Sequence, residues 1–311
     1  MATNHGIFVT EQSSGAILPV IAASGLPFVV GTAPIQTASE PATVGIPKLV
    51  NSWDEAVAFF GYSDDWATYT LCEVMYSHFK MYGCSPVIFV NVLDPATHKT
   101  SVSSESASVA NHKAKITADA IIDSSLTVSA ESELTKGEDY EVYYTEDGLV
   151  IELLSGGSAY SASSLTVGYN KISTTAITST VIAAAFEAIE LCVGTTKIVP
   201  DLLLAPGFSH DPAVAAAMAT KAESINGLFH AKALIDLNCS SSGAGSYTTA
   251  VSLKATQGLV NESQIVCWPM CGYGDKVFHA STHVAGIIAS VDTENEGCPY
   301  ESPSNKAAKI A

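Results

Sequence analysis

The chain has 311 residues, 47% of them hydrophobic and only 14% charged, with a formal net charge of −17. The acidity argues against nucleic-acid binding, because phosphates need a basic face, and the 14 Lys and Arg form no dense cluster. The charge density is well below the roughly one quarter usual for a soluble domain, which points to surface covered by neighbours.

Residues 1–18 carry one short β-like run, Ile7-Phe8-Val9, inside polar sequence. No hairpin partner is adjacent, so the run either pairs far away in its own domain or is lent to a neighbour. Leu26 to Thr32 predicts a first core strand, and Lys48 to Val50 a short extended piece. Ser52-Trp53-Asp54-Glu55 fits a capping box that opens a helix to Phe60, closed by Gly61. A longer helix is expected from Ala67 to Tyr82, with Leu71, Met75, Phe79 and Tyr82 on one face and Gly83 at its end. Pro86 to Leu93 then returns as a buried strand.

Composition changes near Asp94. Residues 97–178 are rich in Ser and Thr and read mostly as β, with a hairpin over Asp139 to Leu154 turning at Asp147-Gly148. Sequence of α/β type stands on both sides, which predicts a small β-rich domain inserted into an α/β domain made of residues 19–96 and 179–311. Val181 to Val193 reads as helix. Pro200 to Leu237 reads as strand, turn, helix, strand: Asp201 to Ala205 is apolar, Asp211 caps, Pro212 opens a helix to Asn226, Gly227 closes it, and Ala231 to Leu237 is a second buried strand. A helix joining two such strands predicts a parallel pair with a right-handed crossover. A helix from Thr248 to Gln257, a strand from Gln264 to Trp268, a turn at Cys271 to Gly274 and a helix from Thr282 to Val291 follow. Glu294 to Ala311 has no core-building pattern, although Ala307 to Ala311 could begin a helix.

The seven cysteines are odd in number and mostly flanked by apolar residues, as expected of buried free thiols. Cys267 and Cys271 with His279 and His283 are residue types that a zinc site uses, but their spacing and the strand-like run ending at Cys267 argue against a metal. The N-terminus lacks a secretory pattern, and no apolar run reaches the ~20 residues that span a bilayer. No phosphate loop or dinucleotide fingerprint is found, so no cofactor is expected. Asp64, Asp65 and the carboxylates from Asp292 to Glu296 read as solvated. Tyr140, Tyr143, Tyr144, Tyr160 and Tyr169 allow a carbohydrate-binding reading of the β-insert, although cross-strand packing explains them too.

Ser281 to Ala289, STHVAGIIA, resembles the segment around the catalytic histidine of subtilisin-like proteases. The position of the catalytic base is Ala280. His283 matches only the second, non-catalytic histidine, and His279 is one residue out of register, ~100° around a helix. No nucleophile motif follows, so no catalytic residue is expected, with a degenerate or active hydrolase as the alternative.

Over nearly its whole length the chain resembles the tail sheath proteins of contractile phage tails and related phage-tail-like particles. The stretches that carry the resemblance are His5 to Gly15 (HGIFVTEQSSG), Leu26 to Ala33 (LPFVVGTA), Asn51 to Gly61, Cys84 to Leu93, Lys136 to Leu154, Pro200 to Phe208 (PDLLLAPGF), His283 to Asp292 and Ser302 to Lys306 (SPSNK). The resemblance implies a subtilisin-like core without a working triad, and a structural subunit that stacks as six-fold rings around a tail tube, meets a baseplate and contracts to drive the tube through a cell envelope. It implies a virion or phage-tail-like particle assembled in the bacterial cytoplasm, without nucleic-acid partners or membrane insertion. It gives Ile7, Phe8 and Val9 the role of an arm linking neighbouring subunits. Sheath proteins continue after the SPSNK-like stretch into a further domain that receives the arms. This sequence stops five residues after Lys306, so that domain is expected to be missing and assembly of the 311-residue form impaired.

Overall fold

The computed structural model describes residues 24–145 and 148–309. Ile7, Phe8 and Val9 lie outside them, as does Asp147 of the expected hairpin turn.

Strand β1 (Pro27–Gly31) is buried throughout. Asp201 anchors its entry, accepting from the backbone N–H of Gly25 (2.8 Å) and Leu26 (2.6 Å). β2 (Lys48–Val50) precedes helix α1 (Trp53–Phe60). Ser52 caps α1 by accepting from Glu55 N–H, but the Glu55 carboxylate reaches back to the N–H of Asn51 (2.8 Å) rather than to the cap residue. Gly61 ends α1 at φ 70°. The long helix starts at Thr70, later than expected, as α2 (Thr70–Met75) and continues as a π-wound segment, Tyr76–Tyr82. The looser winding brings His78 and Tyr82 inward, where both are buried. β3 (Val87–Asn91) follows, buried at every position.

The Ser/Thr-rich stretch forms a sheet of its own: β4 (Lys99–Ala110), β5 (Lys113–Ile116), β6 (Ala120–Ile121), β7 (Thr127–Ser129), β8 (Tyr140–Thr145), β9 (Gly148–Leu153) and β10 (Ser164–Ile172). It is antiparallel, in the order β6-β10-β4-β5-β9-β8, with β7 also on β10. In the hairpin Tyr140, Val142 and Tyr144 stand opposite Leu153, Ile151 and Leu149. These side chains feed a separate apolar core with Val128, Leu165 and Val167. The two sheets touch where the Tyr69 hydroxyl donates to Asp119 (2.5 Å) and Gln36 Nε2 to the Ala118 carbonyl (3.2 Å).

The chain then returns through α3 (Ser179–Ala185), a tighter 3-10 stretch Phe186–Leu191 and α4 (Cys192–Thr195). β11 (Leu202–Leu204), α5 (Pro212–Glu223) and β12 (Lys232–Asp236) make the expected strand-helix-strand unit, and β12 lies parallel to β11. The helix stops at Glu223, before Asn226. Gly227 sits at φ 72° in a separate turn closed by Ile225 and Phe229. Asp211 Oδ1 accepts from Ala213 N–H at 2.8 Å. Asp211→Ala is expected to cost about 1 kcal/mol, the usual worth of such a cap, read as a lowered Tm.

Helix α6 (Tyr247–Thr256) and strand β13 (Gln264–Cys267) complete the core sheet. Its order is β13-β12-β11-β1-β3-β2. All neighbours are parallel except β2, which runs antiparallel to β3. The fold is therefore mixed α/β, with one mainly parallel and one antiparallel sheet. The expected turn at Cys271 to Gly274 is a hairpin, β14 (Cys271–Tyr273) and β15 (Lys276–Phe278). α7 (Ala280–Glu294) follows at once. Residues 307–309 are not helical.

Candidate functional site

Open parallel sheets place reactive groups at the carboxyl ends of their strands. Here that end holds a polar cluster built by α2, β12 and the start of α7. Asp236, last residue of β12, is buried. It accepts from Ser281 N–H (2.9 Å), Ser281 Oγ (2.5 Å) and Ser209 Oγ (3.1 Å), and its own N–H donates to Ser209 Oγ (3.0 Å). Glu73 of α2 is equally enclosed, with its side chain 1% exposed. It accepts from His279 N–H (2.6 Å) and Thr282 Oγ (3.1 Å), and pairs with His279 Nδ1 (2.8 Å). Both carboxylates thus meet the first backbone N–H groups of α7, where a helix favours negative charge.

Electrostatics follow from this packing. Burial holds the Glu73 carboxyl above the usual range, and His279 pulls it back. Burial opposes a charge on His279, but the Glu73 carboxylate outweighs it and pushes the imidazole up to about 9. His279 is therefore an imidazolium near neutrality. The buried serines are held by Asp236. Cys271 is pushed up by burial and by nearby Asp236, Cys239 and Glu73, so it stays a thiol. Through these bonds Glu73 and Asp236 hold the start of α7 in place.

His283 lies one turn further on. Its Nδ1 pairs with the Tyr82 hydroxyl at 2.9 Å, and its ring meets Phe278 edge-on. His78, beside it, is pushed down to about 4 by burial and is neutral. The Nε2 atoms of His78 and His283 have no hydrogen-bond partner among the described residues.

Several sequence expectations need correction. Asp64 is exposed, as expected, and also takes Lys276 Nζ at 2.6 Å and the Tyr62 hydroxyl at 2.7 Å. Asp292 is buried in α7 and accepts from Ser24 Oγ at 2.7 Å. Cys298 is exposed, and Cys239 and Cys271 are half-buried, whereas Cys72, Cys84, Cys192 and Cys267 are buried. Among the described residues no group of three or more His, Cys, Asp or Glu could hold a metal, and no helix is long and apolar enough to cross a membrane. In the second sheet, Tyr144 donates to the Ala120 carbonyl (2.7 Å) and Tyr143 to Glu152 (2.8 Å), Tyr169 donates to Glu105, and Tyr160 stacks on His112. Sequence reasoning missed Glu73 and Asp236. The signal was present in both: a single carboxylate inside an apolar helix turn, LCEVM, and another ending the apolar strand ALID.

No family model matches the chain, and no curated protein does. A solved sheath tail protein overlaps it. That structure, the sheath tail protein Lin1278 from Listeria innocua, is 14% identical, covers 87% of this chain and 56% of its own, and superposes with a TM-score of 0.39. The chain therefore spans little more than half the length of that protein. A likeness of this size carries no argument about function, which has to come from the residues.

Proposed function

We propose that this chain is a non-enzymatic structural subunit of a contractile tail sheath, with a subtilisin-like α/β core. The observation that carries the reading is the occupied cluster at the carboxyl end of the sheet. The protease-like stretch STHVAGIIA stands at the start of α7, yet the buried Ser209 and Ser281 hydroxyls are held by Asp236 rather than by His279, so the serine-histidine pair of a triad is not made there. The order of sheath-like stretches from HGIFVTEQSSG to SPSNK supports the same reading.

In this reading subunits form six-fold rings around a tail tube above a baseplate, in a virion or phage-tail-like particle built in the bacterial cytoplasm. Ile7, Phe8 and Val9 link neighbours by strand addition. The extended sheath is a metastable lattice, and subunits shift as rigid bodies while the arms keep them linked as it contracts.

The test is electron microscopy of the native full-length protein mixed with its tube protein. Tubes are expected, and an Ile7→Asp, Phe8→Asp, Val9→Asp variant should fold but give no tubes. Failure to assemble in any ionic condition, together with peptide hydrolysis that is lost in His279→Ala, would overturn the reading in favour of a hydrolase.

A further inference from the structure

We propose that the open edge of β13 accepts an extended segment of another protein, apolar on both faces and bearing Lys or Arg at the end that meets the start of β13. This acceptor is independent of the arm exchange proposed above.

The edge is unpaired: β13 ends the core sheet, and among the described residues no strand lies on its outer side. The Ser263 and Cys267 carbonyls accept from Ala233 (2.8 Å) and Leu237 (3.1 Å), so alternation turns the peptide groups of Gln264 and Val266 outward. Gln264 N–H donates to the Asn261 carbonyl (3.0 Å), which leaves Val266 N–H and the Gln264 and Val266 carbonyls for an added strand. The strand, QIVC, carries no Pro or Lys of the kind that blunts exposed edges.

Clefts lie on both faces of this edge. One of about 990 Å³ is lined by Ile265, and one of about 320 Å³ by Gln264 and Val266. Val260, 81% exposed, forms a lip shared by both. Successive side chains of an added strand point to opposite faces, so one extended segment would fill both clefts. Cover from this chain is thin: α6 buries only Ala250 and leaves Tyr247 and Val251 exposed.

Charge selects the occupant. Five carboxylates line the larger cleft against Lys232 and His230. Glu301 pairs with Lys306 (2.6 Å), Asp201 and Asp292 hold Ser24 Oγ, and the Lys232 ammonium donates to the Glu262 carbonyl (2.8 Å), so Glu223 and Glu262 are the carboxylates that a cation would meet. A cation entering there meets complementary charge. Pairing of two β13 edges from two copies would bring the same acidic cleft against itself.

The probe is a short valine-rich peptide with lysine at both ends, followed by calorimetry and by amide hydrogen exchange. Binding should slow exchange of the Val266 N–H by about tenfold or more. A version with glutamate ends should bind about threefold or more weakly, in line with a partly exposed ion pair. Val266→Pro removes the outward donor at an edge position where proline is tolerated, and should abolish binding with the fold retained. Should that variant fail to fold, Val251→Lys, which extends over the smaller cleft from an exposed helix position, should weaken binding. Peptide binding that leaves Val266 exchange unchanged, or that both variants leave intact, would overturn the proposal. So would dimers of this chain that disappear in Val266→Pro, because a second copy would then be the occupant.

Discussion

Glu73→Ala is expected to lower stability by about 3 kcal/mol, the low end of the loss seen when one member of a buried ion pair is removed. It is also expected to change how stability depends on pH. His279 titrates at about 9 in the folded protein, above its ordinary value of 6.5. A raised histidine contributes fully below the unfolded value and loses that contribution as pH rises through the folded one. The window is therefore pH 6.5 to about 9, and stability should fall across it. A shift of this size corresponds to at most ~3 kcal/mol, less whatever the burial of Glu73 takes back. His78 has the opposite sign: its folded value is depressed to about 4, so stability should fall as pH drops below 6.5. Urea unfolding of the wild type should show both limbs. In Glu73→Ala the alkaline limb should flatten while the acid limb stays. An alkaline limb of unchanged depth in the variant would remove the ion pair from this account.

Gly286→Val is expected to cost about 3 kcal/mol, at the upper end of ordinary overpacking. Gly286 lies on α7 where that helix crosses the π-wound segment. A β-carbon there would stand 2.7 Å from Tyr82 Cε2 and closer still to Cδ2. Alanine is the better helix former by about 1 kcal/mol, but the clash with the ring outweighs that gain, so Gly286→Ala should also destabilise, by less. The ring cannot retreat freely, because its hydroxyl holds His283 Nδ1 at 2.9 Å and accepts from Lys309 N–H at 3.2 Å. Thermal unfolding of Gly286→Val, Tyr82→Leu and the double variant would check this. The double variant should recover part of the loss. A Gly286→Val protein as stable as the wild type would mean that the two helices pack less closely than described.

The legible parts of the fold were those written in local chemistry. Runs such as PFVVG and VIFVN have no polar face to show water, so they read as strands buried on both sides, and they are β1 and β3. Ser52 and Asp211 announced helix starts because a short oxygen-bearing side chain satisfies an N–H that the helix leaves open. The alternation of Tyr140, Val142 and Tyr144 against Leu149, Ile151 and Leu153 showed the hairpin, because a strand has period two. Less legible was the winding of Tyr76–Tyr82, since α and π turns share the same apolar residues. The hairpin at Cys271 was also hidden, because its three-residue strands are too short to display alternation.

By itself, then, the sequence determined the mixed α/β elements, the second β-rich sheet and the cap residues, because propensity, capping and periodicity act between residues a few positions apart. Only the tertiary structure decided that Glu73 meets His279, 206 positions away, and that Asp236 meets Ser281, 45 positions away. Those pairings depend on strand order and on the point where α7 reaches the sheet. The Glu73 carboxylate then set the charge of His279 against the burial that opposes it, and no local pattern encodes that pairing.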